Sequence, residues 1–281
     1  MYHKEAKSPV VSKLGQSVRN ISTRFSCGGK FELPPNGTVL MNYKTNPGTK
    51  DDSCALTGLV AAKETRVLWD SVEFPAASEA AIRKLLDACS VASFGFKDKN
   101  VTDKSYRDAL CLDPLSFLTT FQLCGTPIMK QIESIVPNCS GLQAELYKLN
   151  VYPPGGFFKP HVDTPQSGQM FGSLVVCLPT QFSGGELVVR HQNEEIKYDW
   201  SSTASTPSTS LCWAMFFSDI EHEVLPVIEG YRVTLTYNLR YCNNPTSSAI
   251  HVKDNPFSQL VLSVTMETRR RCSYHTKLDP F

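Results

Sequence analysis

The sequence contains no run of eighteen consecutive apolar residues, which excludes an ordinary membrane-spanning helix. Its first residues, MYHKEAKSPVVSKLG, carry charge but no apolar h-region, so neither secretion nor a membrane partner is expected. Ten cysteines are scattered from Cys27 to Cys272 without a single C-x-x-C pair, which argues against a zinc-ribbon or thioredoxin-like framework. Reduced thiols in a cytoplasmic or nuclear protein are the expectation. The N-x-[ST] triplets at Asn20, Asn36, Asn100 and Asn138 are then chance matches. An excess of charge is also missing: 28 Lys plus Arg stand against 27 Asp plus Glu. No global field draws the chain toward nucleic acid or an anionic surface, and Arg269, Arg270 and Arg271 read as a solvated helix face. No repeat of fixed period is visible.

What is present is ordinary globular material. With 281 residues, 41% hydrophobic and 20% charged, the chain can bury one large core. Residues 1–20 are polar and lack periodicity, so a flexible N-terminal arm is expected there. FSCGGKFEL and GTVLMNYK read as short strands around the Pro34-Pro35-Asn36-Gly37 turn, followed by a polar loop from Lys44 to Ser53. Behind a Ser78 N-cap, Ile82, Leu85, Leu86 and Cys89 recur at helical spacing. Asp113-Pro114 and Thr126-Pro127 each place a cap before a helix-starting proline, predicting two further helices that end near Pro137. Residues 21–145 are thus read as strands and supporting helices of one domain. Residues 243–281 are read as a C-terminal extension, helical in character. The segment SFGFKDKNVTDKSYRDAL has no functional assignment.

From Leu146 the pattern turns to strands: LYKLNVY, GSLVVCLP, GELVVRH, SLCWAMFF and YRVTLTYNL, separated by Gly, Pro and Ser clusters. Strands after a helical block predict an α+β fold with helices on one side of an antiparallel sandwich or barrel. Alternation sharpens this. In YRVTLTYNL, Arg232, Thr234, Thr236 and Asn238 share a face opposite Val233, Leu235, Tyr237 and Leu239. In LYKLNVY, Lys148, Asn150 and Tyr152 share a face opposite Tyr147, Leu149 and Val151. If the apolar faces meet the helices, the polar faces line a common interior.

His161 and Asp163 are one residue apart, so on an extended segment both side chains project to the same side. His222 follows the strand SLCWAMFF and completes a candidate set of two imidazoles and one carboxylate. That donor set leaves octahedral positions open and suits non-haem Fe(II), whereas structural zinc sites are closed and rich in thiolates. Arg232, ten residues after His222, offers a permanently charged bidentate donor for a carboxylate, with the Thr234 hydroxyl on the same face.

The run NVYPPGGFFKPHVDTP, then FSGGELVVRH, then FFSDIEHEVLPVIEGYRVTLTY resembles the catalytic core of 2-oxoglutarate-dependent, Fe(II)-dependent oxygenases of the prolyl hydroxylase type. The resemblance runs from Leu146 to Leu239 and places the oxygenase core at 146–242. It implies a double-stranded β-helix, jelly-roll or cupin-like, with supporting helices packed on one sheet. It further implies His161, Asp163 and His222 as the catalytic metal ligands, Arg232 for the distal carboxylate of 2-oxoglutarate, and Tyr152 and Thr234 as cosubstrate contacts. Fe(II), 2-oxoglutarate and O2 follow as cofactors, with ascorbate as an accessory reductant. Arg232 stands where many procollagen-modifying members use lysine. Cys177 stands where some members carry a cosubstrate-contacting tyrosine, and core packing is the expected role for Cys177 and Cys212. The Ser183-Gly184-Gly185-Glu186 turn matches the family's tight connection between strands.

The expected reaction is hydroxylation of a C–H bond, with a prolyl residue of a protein or peptide, or a small molecule, as substrate. Lys148, Asn150 and Asn238 are the candidate substrate contacts, and Phe157 and Phe158 candidate walls. His3, His191, His251 and His275 read as solvated. One alternative is a nucleic-acid demethylase of the AlkB type, since Asn150-Val151-Tyr152 resembles that group's N-x-Y element. Asn238 stands where that group has a second arginine, and the near-neutral charge disfavours nucleic acid. The other alternative is a non-catalytic binding protein on the same barrel.

Overall fold

The computed structural model describes residues 25–45, 68–75, 78–96, 99–136, 141–164, 169–202 and 209–242. The expected N-terminal arm at 1–20 and the helical extension at 243–281 lie outside the described residues, as does most of the loop after Thr45. Among the described residues the fold is mostly β. In chain order come β1 (Ser26–Glu32), β2 (Val39–Thr45), β3 (Leu68–Phe74), α1 (Glu79–Ala88), β4 (Ser90–Val91), β5 (Phe94–Phe96), β6 (Lys99–Val101), β7 (Arg107–Asp108), β8 (Leu110–Leu112), β9 (Phe117–Thr119) and α2 (Pro127–Glu133). There follow β10 (Leu142–Tyr152), β11 (Phe157–His161), β12 (Met170–Cys177), β13 (Phe182–Gly184), β14 (Leu187–His191), β15 (Glu194–Tyr198), β16 (Ser210–Phe217), β17 (Glu221–Val224), β18 (Val227–Gly230) and β19 (Arg232–Tyr241).

Two antiparallel sheets carry the architecture. The larger has the order β1-β16-β12-β19-β10-β8-β4 and the smaller β15-β14-β17-β11-β7. Between them lies a core of Phe158, Leu187, Val189, Ala214, Phe216 and Val224, drawn from both sheets, which makes the pair a β-sandwich. Pairs β13-β18 and β5-β6 and a three-stranded sheet β3-β2-β9 complete the strands.

The outer face of the large sheet is where the helices bind. Leu149, Val151, Val176, Val233 and Leu235 share one apolar cluster with Ile82 and Leu85 of α1 and Ile128, Met129 and Ile132 of α2. The three-stranded sheet joins that layer through Met41, Tyr43 and Phe117. α1 begins as its sequence dictates: Ser78 Oγ accepts from the Ala81 N–H at 3.2 Å, satisfying one of the helix's free donors. Pro127 occupies the first turn of α2, where its missing N–H costs nothing.

Two expectations need correction. Asp113-Pro114 opens only a 3-10 turn, Pro114–Ser116, before β9 pairs with β2 through Tyr43↔Phe117. Burial of Phe117 beside Tyr43 and Met41 overrides the local helix signal. The two strands expected around the Pro34–Gly37 turn are present, and they pair elsewhere, β1 with β16 and β2 with β3. Tyr147 does not share the outer face with Leu149. The register of β10 against β19 shifts between Leu146 and Lys148, and this irregularity turns Tyr147 toward the cavity that Lys148 lines.

Candidate active site

The inner faces of both sheets enclose an open cavity holding about 600 Å³ of empty space, part of it continuous with solvent. The polar faces of β10 and β19 line it as the alternation requires: Lys148, Asn150 and Tyr152 from one, Arg232, Thr234 and Thr236 from the other. Asn238, on the same side of β19, is buried but lies outside the cavity lining.

His161 ends β11, and His222 on β17 is its register partner. Asp163 lies just past the strand end, with Val162 between them pointing out to solvent. One donor atom from each of His161, Asp163 and His222 lies within 4.8 Å of the others. His222 Nε2 is 3.7 Å from Asp163 Oδ1. An ion a little over 2 Å from each donor would draw the three slightly together. Both imidazoles are oriented by backbone carbonyls: His161 Nδ1 lies 2.8 Å from the Lys159 carbonyl and His222 Nδ1 lies 3.0 Å from that of Ile220. In the tautomer where each Nδ1–H donates, the Nε2 lone pairs are free for a metal. Phe158 stacks on His161 at 3.5 Å, and Phe216 lies 4.2 Å from the His222 ring. Burial, and next the neighbouring His222, push the His161 pKa down to about 3, which keeps that imidazole neutral. Ser173 donates to Asp163 Oδ2 at 2.5 Å and leaves Oδ1 turned toward His222.

Arg232 is 1% exposed and faces Tyr152 across the β10–β19 ladder. Its guanidinium carbon lies 5.3 Å from the Tyr152 ring and 5.2 Å from that of Trp200. Nε and Nη2 are buried without a hydrogen-bond partner, and among the described residues no carboxylate pairs with the group. A buried permanent cation without its anion is costly, so the arrangement fits an anionic ligand. Gly185 helps to hold it. A Cβ there would meet Val227 Cγ2 at 2.9 Å and Arg232 Cδ at 3.0 Å, and its φ of +70° favours glycine. The glycine turn therefore bears directly on the arginine as well as on the chain reversal. The two-His, one-Asp cluster and this cation fit Fe(II) with a dicarboxylate cosubstrate.

Cys177 is buried in the core between the sheets, and burial pushes its thiol up to about 12. It is absent from the cavity lining, and Cys212 packs against the same core. His191 is half-buried with its ring 5.5 Å from that of Phe25. His3, His251 and His275 lie outside the described residues. Phe158 lines the cavity, whereas Phe157 does not.

Residues missed in the sequence are Arg107, Ser173, Tyr147 and Trp200. Arg107 comes from the unassigned segment, brought to the cavity by pairing with Phe158. In the same segment, Phe94 and Tyr106 pack 4.6 Å apart beside Phe158, and the Tyr106 hydroxyl donates to the Pro160 carbonyl. That segment is the wall behind His161. Ser173 was legible in retrospect, since it shares strand alternation with Val175, and both line the cavity.

Residues 147–240 match the family model of the 2OG-Fe(II) oxygenase superfamily. No curated protein matches the chain by sequence. Among solved structures, a Pseudomonas putida prolyl-4-hydroxylase is 17% identical with a TM-score of 0.36, over 58% of this chain and 83% of that one. A Trichoplax adhaerens prolyl hydroxylase, in complex with a hypoxia inducible factor oxygen degradation domain peptide fragment, is 18% identical with a TM-score of 0.36, over 54% and 71%. A viral collagen prolyl hydroxylase from Paramecium Bursaria Chlorella virus-1, in its 2OG complex, is 15% identical with a TM-score of 0.31, over 49% and 81%. The similarity to these three is too distant to carry weight beside the family match. The matched stretch, residues 147–240, contains His161, Asp163, His222 and Arg232, so the similarity to the 2OG-Fe(II) oxygenase superfamily and the candidate site fall on the same third of the chain.

Proposed function

We propose that this protein hydroxylates a C–H bond of a prolyl residue in a peptide or protein, on a double-stranded β-helix whose eight strands are β10, β11, β12, β14, β15, β16, β17 and β19. The observation that carries the reading is the juxtaposition in one cavity of the His161, Asp163, His222 cluster and the unpartnered Arg232 guanidinium. The prolyl assignment is supported by the resemblance of the runs NVYPPGGFFKPHVDTP and FFSDIEHEVLPVIEGYRVTLTY to the prolyl hydroxylase type of these oxygenases.

In this reading His161, Asp163 and His222 hold Fe(II), and Arg232 receives the distal carboxylate of 2-oxoglutarate. When bound, iron, 2-oxoglutarate and O2 supply the oxidant that hydroxylates the substrate while 2-oxoglutarate is converted to succinate and CO2. The chain's own residues orient and shield. Ser173 holds Asp163 by one oxygen, so the carboxylate ligates through the other. Tyr152 and Trp200 fix the plane of Arg232, and Thr234 offers a hydroxyl beside it. Val175, Leu187, Phe216 and Val224 exclude water from the reacting centre.

The test is iron-dependent succinate formation across a panel of proline-containing peptides and small molecules. Release coupled to hydroxylation of a prolyl residue is expected. No iron-dependent succinate with any member, together with no 2-oxoglutarate binding, would sink the oxygenase reading; coupling only to non-prolyl substrates would sink the prolyl one.

A further inference from the structure

Besides Arg232 and Asp163, two charged side chains line the cavity, and both are cations: Arg107 and Lys148. Arg107 is 8% exposed. Its Nη1 donates to the Ser93 carbonyl at 2.6 Å and its Nη2 to Asn150 Oδ1 at 2.8 Å, while Nε is buried without a partner. The guanidinium carbon lies 4.4 Å from the centre of the Phe158 ring. Asn150 is held at its other end, since Nδ2 donates to Thr236 Oγ1 at 3.0 Å. Both of Arg107's side-chain and backbone acceptors are neutral, so its charge is undiminished. Among the described residues the carboxylate paired with Lys148 is that of Asp113, at 3.8 Å, and it is 69% exposed, a loose and water-screened contact; the ammonium also lies 5.3 Å from the centre of the Tyr147 ring.

Charge balance gives these cations a purpose. Arg232 matches one carboxylate of 2-oxoglutarate, and Fe(II) matches Asp163 with the other. Arg107 and Lys148 are left over. Lys148 is also displaced from the cosubstrate end. In the β10–β19 register Tyr152 faces Arg232, Asn150 faces Thr234 and Lys148 faces Thr236. At ~3.3 Å per residue, Lys148 lies roughly 13 Å along the strand from the level of Arg232. Tyr147, 36% exposed, marks the open end beside Lys148.

We propose, resting on the oxygenase reading above, that the outer part of this cavity is a carboxylate receptor. Arg107 and Lys148 together bind an acidic group on the primary substrate, so a carboxylate-bearing substrate is selected over its neutral amide. Asn150 acts here as a positioning residue: pinned between Arg107 and Thr236, it aims the guanidinium without neutralising it.

The experiment titrates iron- and 2-oxoglutarate-loaded protein, without oxygen, with proline-containing tetrapeptides that differ only in Glu, Gln or Lys at one position. Free glutamate and glutamine form a second pair, which tells a peptide from an amino acid as the source of the carboxylate. The Glu peptide or free glutamate is expected to bind at least tenfold tighter than its amide counterpart. Lys148→Met should cut that preference several-fold and Arg107→Gln should abolish it, each without changing 2-oxoglutarate affinity. Should Arg107→Gln not fold, Lys148→Met and the loss of the preference at high salt carry the test. Equal or tighter binding of Gln or Lys peptides, a preference that survives Lys148→Met, or binding by no probe overturns the proposal. Failure of 2-oxoglutarate itself to bind overturns the oxygenase reading instead, and the Glu against Gln comparison is then read on the iron-loaded protein alone.

Discussion

On one side of β10 and β19, Leu149, Val151, Val233 and Leu235 are fully buried against helices; on the other, Asn150, Arg232 and Thr234 are buried almost as deeply in a polar cavity. Depth is shared and chemistry is opposite. The outer face satisfies itself, because apolar groups need only close packing. The inner face does not, because Arg232 keeps buried donors without partners, and His161, Asp163 and His222, which could hold a metal ion, bring their donor atoms within 4.8 Å of one another. Adjacent residues on one strand therefore serve different ends: stability comes from one face and ligand binding from the other. Substitutions should separate these roles.

The largest effect is expected at the metal cluster. His161→Ala, Asp163→Ala or His222→Ala should abolish iron binding and reduce succinate formation to background, checked by metal analysis and turnover. Next comes Arg232→Met. Truncating one partner of a buried charge pair costs about 2–5 kcal/mol of binding, so 2-oxoglutarate affinity should fall by roughly 30-fold to several thousand-fold. The ligand-free variant should be as stable as the parent or more so, because an unpartnered buried charge has gone. Chemical denaturation with and without 2-oxoglutarate reads both signs at once, and a ligand-free variant much less stable than the parent would refute the account of this face.

Leu235→Ala, on the outer face, is expected to reverse the pattern. It should destabilise the fold by about 2–5 kcal/mol and leave 2-oxoglutarate affinity of the folded protein unchanged. Gly185→Ala falls between the faces. Its positive φ costs about 1–2 kcal/mol with a Cβ, and the contact at Arg232 Cδ should weaken 2-oxoglutarate binding several-fold. Calorimetry on the two variants separates them.

The smallest effect is in pH. His161 is held neutral in the fold, its pKa lowered by burial and His222 to about 3 against 6.5 when unfolded. The unfolded chain thus binds the extra proton first. The stability this group contributes is fully present above pH 6.5 and is lost as pH falls from there toward 3. Metal-free protein should lose stability on acidification across that window, and His161→Gln should flatten the slope.

The sequence made the site more legible than its surroundings. His161, Asp163, His222 and Arg232 could be found because ligand chemistry demands particular residue types, and strand alternation fixes which side they face. The polar faces of β10 and β19 were readable for the same reason, up to the irregularity at Leu146 and Lys148 that alternation cannot foresee. Arg107 was not legible. Its place depends on the pairing of β7 with β11, about fifty residues away, and its partners Ser93 and Asn150 give no local pattern. Trp200 was hidden likewise at the end of a hairpin. The 3-10 turn at Pro114 shows the reverse failure, where a clear local signal yielded to the burial of Phe117.

The central claim is that the inner face is incomplete without an iron-bound dicarboxylate. The most direct test is calorimetric titration of 2-oxoglutarate, without oxygen, into iron-loaded protein, metal-free protein and iron-loaded Arg232→Met. Tight one-to-one binding to the first, and marked weakening in each of the other two, is the predicted result. Equal affinity in all three, or no binding to the iron-loaded protein, would contradict it.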